Sequence, residues 1–241
     1  MKVGIGVLVG SCILAGVNRG SGTENDGKEK GLVGYWKFDE SGWNGTKNEV
    51  KDISGHGNHG TAHGDATTVA EGKLGRAGTF DGDGDYLDCG NDESLNITGP
   101  ITIELWLKAK SWGSGNGDYF VSKAQSNQGY VLEQDAGSVR FRLFEKGVLA
   151  GQATFPNPSL NAWHHVVGTY DGTNLRLYLD GVLKDTSGTV PPITGTGGNL
   201  YISWWFGAYG FFNGLIDEVK IYNYALTEEM VRWANLPLQL N

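Results

Sequence analysis

Carboxylates, imidazoles, hydroxyls and stacked aromatics are the groups in this chain that could do chemistry, and the spacing of each limits what it can do. Cleaving a glycosidic bond from a sheet needs two carboxylates on one face, about 5 Å apart for retention, hence at positions i and i+2 or i and i+4 of a strand. Glu104 stands alone between Ile101 and Leu107, and strict alternation sends Asp217 and Glu218 to opposite faces. A serine elbow would show as Gly-x-Ser-x-Gly; the chain lacks it, and no Ser/His/Asp arrangement is evident. His56, His59 and His63 have a spacing that suits a helix face, yet their segment is broken by glycines and reads as strand, so zinc is not expected. His164 and His165 alternate across a strand and read as structural. Asp81-Gly82-Asp83-Gly84-Asp85 begins like a calcium loop, but Tyr86 stands where Gly is needed and Asp92 where Glu is needed. It reads as a hairpin turn.

Aromatic residues are the remaining resource. Sugar rings lay their C–H faces on Trp and Tyr, and the run Trp204 to Phe212 is too dense for one strand to bury. Adjacent Trp204 and Trp205 should face opposite ways, one into the core. The other, with Tyr209, Trp112 and Tyr119, forms an exposed platform, or else all of them plug the ends of the fold.

The elements that must position these groups are strands. Apolar residues alternate at Ile101, Ile103, Leu105 and Leu107, and again at Leu175, Leu177 and Leu179, which is the period of a half-buried strand. Ten further segments read the same way, and turn residues separate nearly all of them. Asp171-Gly172 and Asp180-Gly181 mark hairpin tips. The 39 glycines in 241 residues supply turns with positive φ. Only Thr227 to Asn235 reads as helix, with Thr227 as N-cap and Glu228 and Glu229 in the first turn. The expectation is an all-β, two-sheet antiparallel jelly-roll sandwich with a short C-terminal helix. A formal charge of -8 and the lack of any basic cluster set nucleic acid aside.

Residues 1–17 carry one early charge, Lys2, and then a small, apolar stretch too short to span a bilayer, which reads as an export signal. Val9-Gly10-Ser11-Cys12 resembles a bacterial lipobox, so either lipid on Cys12 or cleavage near Ala15 is expected, and no transmembrane segment. Residues 18–30 are polar and read as a flexible linker, leaving 31–241 as one domain. Cys89 then has no disulfide partner and reads as a small buried hydrophobe.

Four blocks in order resemble LamG-like jelly-roll domains of the concanavalin A-like lectin and glucanase superfold. They are Leu32 to Glu40, Asp52 to Gly60, Ala162 to Val166 with Tyr170-Asp171-Gly172, and Phe212 to Val219 with Ile221-Tyr222-Asn223. The resemblance implies the fold, and a structural calcium ion where these segments meet, with oxygens from Asp39, Asn58, the Gly60 carbonyl and Asp217. The glucanase pattern Glu-x-Asp-x-x-Glu occurs once, at Glu24, Asp26 and Glu29, outside the folded region. The resulting expectation is an exported, non-catalytic, calcium-stabilised module that binds a polysaccharide, another glycan or a cell-surface protein. A glycoside hydrolase and a structural adhesion module are the alternatives.

Overall fold

The computed structural model describes residues 29–113, 117–207 and 210–236. The segment read as an export signal, Cys12, most of the segment read as a linker, and Tyr209 lie outside the described residues. Fifteen strands follow one another: β1 (Leu32–Trp36), β2 (Thr61–His63), β3 (Thr67–Val69), β4 (Ala77–Asp81), β5 (Tyr86–Asp88), β6 (Ile101–Ala109), β7 (Asp118–Lys123) and β8 (Gly129–Asp135). Then come β9 (Ser138–Glu145), β10 (Val148–Pro156), β11 (His164–Tyr170), β12 (Leu175–Leu179), β13 (Val182–Thr186), β14 (Tyr201–Ile202) and β15 (Asn213–Tyr222), closed by α1 (Glu228–Ala234). They form two antiparallel sheets. The larger runs β13-β12-β11-β6-β15-β4-β3, with β1 beside the second half of β15, and the smaller runs β10-β9-β8-β7-β14-β5-β2. This is the jelly-roll sandwich that the alternation predicts.

The inner faces meet in one core that includes Trp36, Phe80, Leu105, Phe120, Tyr130, Phe141, Leu177 and Phe212. Polar ends of its large rings are satisfied, as burial requires: Tyr130 Oη donates to Leu95 O at 3.0 Å and Tyr170 Oη to Val190 O at 3.0 Å. Cys89 belongs to this core, and burial pushes its thiol well above the ordinary range. Outside the larger sheet, α1 lays Val231 against Val167, Tyr178, Tyr222 and Leu226. Thr227 caps it by accepting the Met230 N–H. No helix among the described residues is long and apolar enough to cross a membrane.

Turn chemistry fixes the hairpins. Asp180 at φ 51° and Gly181 at φ 75° join β12 to β13 with two successive positive φ values, the pairing that matches strand twist. The Asp81 to Asp85 segment does not join a hairpin, as its spacing suggested. It carries the chain from β4 in the larger sheet to β5 in the smaller, and Asp85 stabilises the crossing by accepting the N–H groups of Asp65 and Asp81.

Strand β15 departs from regular alternation as well. Asp217 stands opposite Trp106 and Lys220 opposite Glu104, so three steps on β15 match two on β6. The extra residue is Glu218, at φ 53°, and the bulge it forms defeats alternation. Asp217 and Glu218 therefore share the outer face of the larger sheet, where Glu218 accepts the Tyr35 hydroxyl.

Candidate functional site

The aromatic residues gather on the outer face of the smaller sheet. Leu87 and Ile202 point inward, so Tyr86 on β5 and Tyr201 on β14 point out, as does His63 on β2, paired with Tyr86. His63 stacks on Tyr86 with ring centres 4.5 Å apart and planes 6° from parallel. Trp204 lies 4.7 Å from both Tyr86 and Tyr201 and is parallel to Phe211 at 6.3 Å. His63, Tyr86, Trp204 and Phe211 are all half-buried, so the group is a surface rather than a core. Phe206, exposed, sits 6.0 Å from Trp204 at its margin.

Trp204 and Trp205 do not divide between core and solvent. The strand ends at Ile202, and Ser203 at φ 69° breaks the alternation on which that expectation rested. Both indoles stay outside and diverge sideways: Trp205 packs on Tyr119 and Phe144 and donates Nε1–H to Ala124 O at 3.0 Å. Tyr119 is on this face but buried beneath Trp205 and offers no platform of its own. Trp112 is elsewhere. It packs against the core beside Phe120 and Phe212, with Nε1–H on Pro158 O, and so plugs one end of the sandwich.

Polar groups flank the rings. Asp88, cross-strand from Tyr201, accepts two hydrogen bonds from Asn199 Nδ2, at 2.9 and 3.0 Å. Glu133, opposite Tyr119, is paired with Arg142. The loop carrying Asn199 is latched from below by Lys123, whose ammonium is fully buried and donates to Gly198 O at 2.6 Å and Asn91 Oδ1 at 2.5 Å. Burial without a carboxylate partner lowers its pKa to about 8. Sequence reading missed His63, Tyr86, Tyr201 and Asp88. Their outward alternation was visible; the adjacency of β2, β5 and β14 was not.

The four oxygens nominated for calcium do not form one coordination sphere. Asp39 and Asp217 both accept N–H groups from the same loop, from Arg76 and Leu74 respectively. Asn58 bonds Val33, beside the opposite end of β15, and its carbonyl accepts Trp36 Nε1–H at 2.9 Å. The Gly60 carbonyl accepts the Val50 N–H. Among the described residues no three His, Cys, Asp or Glu side chains gather as a metal would need. Asp52 organises the Asp52 to Gly60 motif instead: its carboxylate accepts the N–H groups of Tyr35, Ser54 and Asn58 and the Ser54 hydroxyl. His59 Nδ1 accepts the Asp52 N–H, which gives that imidazole a structural role.

Carboxylates also meet on the outer face of the larger sheet, where Asp217 Oδ1 and Glu218 Oε1 are buried without a hydrogen-bond partner among the described residues. Burial raises the Glu104 carboxyl, but His165 and Lys220, each 3.2 Å from Oε1, outweigh it and hold it below the usual range. Burial pushes Asp217 up to about 7 beneath Leu74, and Glu218 holds Tyr35. His165 is the structural histidine expected. His164 contacts both Ser159 and Asp180, a Ser/His/Asp arrangement that sequence reading did not find, because such a chain is defined by geometry and not by a motif.

A family model described as the concanavalin A-like lectin/glucanases superfamily matches residues 81–232, more than half of the chain. Solved structures with similar folds include the fourth domain of AbnA, a GH43 extracellular arabinanase from Geobacillus stearothermophilus, in complex with arabinotriose. It is 19% identical, with 87% of this chain and 100% of that one covered at a TM-score of 0.64. The binding domain of Paraclostridial Mosquitocidal Protein 1 is 18% identical, covering 85% of this chain and 52% of that one at 0.66. The binding domain of botulinum neurotoxin DC, in complex with rat synaptotagmin II, is 16% identical, covering 85% and 51% at 0.64. At these identities the likeness shows the fold, and this chain spans about half the length of the two toxin binding domains. No curated protein matches the chain by sequence.

Proposed function

The chain belongs to the concanavalin A-like lectin/glucanases superfamily, and from that premise we propose that it is an exported module that binds a glycan without cleaving glycosidic bonds. The half-exposed Trp204 in its ring of Tyr86, Tyr201, Phe211 and His63 is the observation that carries this reading. A sugar ring laid on Trp204 finds acceptors and donors in the adjoining Asp88 and Asn199. The arabinotriose complex of the arabinanase domain supports a saccharide on this fold, and the synaptotagmin complex makes a protein the rival ligand. Two or three stacked rings with a few hydrogen bonds supply about 4–8 kcal/mol, or millimolar to micromolar affinity.

Export rests on residues 1–17, with lipid on Cys12 or cleavage near Ala15 as its two forms, which mass spectrometry of the mature N-terminus separates. The structural calcium ion that the resemblance implies on Asp39, Asn58, the Gly60 carbonyl and Asp217 finds no such cluster of side chains among the described residues, and an EDTA melt tests it. The binding proposal is tested by a glycan array and by titration of the best ligand against wild type and Trp204→Ala. Binding is expected to fall about fivefold or more with the fold intact, since a sugar stacked on an aromatic ring is worth about 1 kcal/mol or more. Unchanged affinity in Trp204→Ala would move the site off this face, and release of reducing ends would refute the non-hydrolytic reading.

A further inference from the structure

Ser159, His164 and Asp180 form a continuous hydrogen-bonded chain at the rim of the larger sheet. Ser159 Oγ lies 2.9 Å from His164 Nε2, and His164 Nδ1 lies 3.0 Å from Asp180 Oδ2. The other carboxylate oxygen, Oδ1, accepts the His165 N–H at 2.9 Å, which stops the aspartate from swinging away. Backbone contacts hold all three. Asp180 N–H donates to His165 O at 2.8 Å, Asn161 turns the chain at φ 60° with its N–H on Ala109 O, and Pro158 O, next to the serine, accepts Trp112 Nε1–H. The imidazole is 13% exposed while Ser159 is open to solvent.

A turn cap does not account for this arrangement. Asp180 caps the strand through His165 N–H whatever stands at position 164, and that cap needs neither an imidazole on Oδ2 nor a hydroxyl on the far ring nitrogen. A nucleophile within reach of a base that is itself oriented by a third group is the constellation of covalent acyl transfer. With its proton on Nδ1 and shared with Asp180, His164 presents the Nε2 lone pair to the Ser159 hydroxyl.

We propose that Ser159 is an acyl-accepting nucleophile and that this rim hydrolyses carboxylic esters. The Oγ–C bond forms as the hydroxyl proton passes to His164 Nε2; the ester C–O bond then breaks, and the departing alcohol takes that proton. Water attacks the acyl-serine, giving its proton to Nε2, and the acid leaves as Oγ is reprotonated. The balance is ester plus water to acid plus alcohol. The Leu160 N–H, one peptide beyond the nucleophile, is the donor this proposal assigns to the oxyanion. The Leu160 side chain, 43% exposed, offers apolar contact to the acyl group. No residue of this site belongs to the Trp204 face, so the two proposals stand or fall separately.

The test uses the full chain with a fluorophosphonate probe, peptide mapping, and turnover of p-nitrophenyl acetate. Labelling is expected on Ser159, and Ser159→Ala, a change at an exposed loop, should abolish it and lower kcat/KM about 100-fold or more. Asp180→Asn keeps an oxygen for the His165 N–H but disturbs the tautomer, so turnover should fall while circular dichroism is unchanged. Turnover equal in wild type and Ser159→Ala, or a label on other residues, would overturn the proposal and leave His164 and Asp180 as a turn cap.

Discussion

Replacing Asp52 by alanine removes the acceptor for three backbone N–H groups and one hydroxyl at a single stroke. The bonds are Tyr35 N and Ser54 N to Oδ1, each 2.9 Å, Asn58 N to Oδ2 at 2.8 Å and Ser54 Oγ to Oδ2 at 2.9 Å. The residue is buried, so water replaces these acceptors poorly. An orphaned donor costs about 1–3 kcal/mol, and three of them give about 3–6 kcal/mol once partial rehydration is allowed. For a domain of this size that is a fall in Tm of roughly 6–24 °C. Asp52→Asn keeps one acceptor for Tyr35 and Ser54 but sets an amide against the Asn58 N–H, so about 1–3 kcal/mol should be lost. Urea and thermal unfolding of the three proteins, followed by tryptophan fluorescence, measure both numbers. The Asp52→Ala loss should be the same in EDTA, because a carboxylate and not an ion closes this loop. A Tm within 2 °C of wild type would refute the reasoning.

Lys123 titrates near 8 in the fold and, as an ordinary lysine, near 10.5 when unfolded. Between those values the unfolded chain binds more protons, so from pH 7.5 to pH 10 the urea midpoint of wild type should gain on that of Lys123→Met, the raised Cys89 thiol acting alike on both; a difference that does not change with pH would refute the assignment. Trp112→Ala should cost about 3–5 kcal/mol, because its ring packs on Phe120 and Phe212, while Trp204→Ala, which gives up half-buried ring contacts at the surface, should cost about 1–2 kcal/mol; equal losses in calorimetry would contradict the division between core and face. If Asp39 and Asp217 hold calcium, EDTA lowers Tm in wild type and Asp217→Ala removes the difference; a melt indifferent to EDTA and to added Ca²⁺ withdraws the ion.

What could be read from the residues alone was whatever is local. Period-two alternation at Ile101 to Leu107 and Leu175 to Leu179, the Asp-Gly turns and the Thr227 cap are set by neighbours within a few positions, and they appear as β6, β12, the β12–β13 turn and α1. Four spaced sequence blocks also carried the family. Tertiary structure decided the rest, because it depends on strand order and on one-residue departures from regularity. Tyr86, Tyr201 and Trp204 become a platform only because β5 and β14, far apart in the chain, are neighbours in one sheet. Ser159 and Asp180 reach His164 from two different turns. A single positive φ at Ser203 keeps both Trp204 and Trp205 outside, and another at Glu218 puts Asp217 and Glu218 on one face. Alternation reports the face of a residue only while the strand stays regular, and a bulge or a left-handed residue reverses it without changing the composition around it.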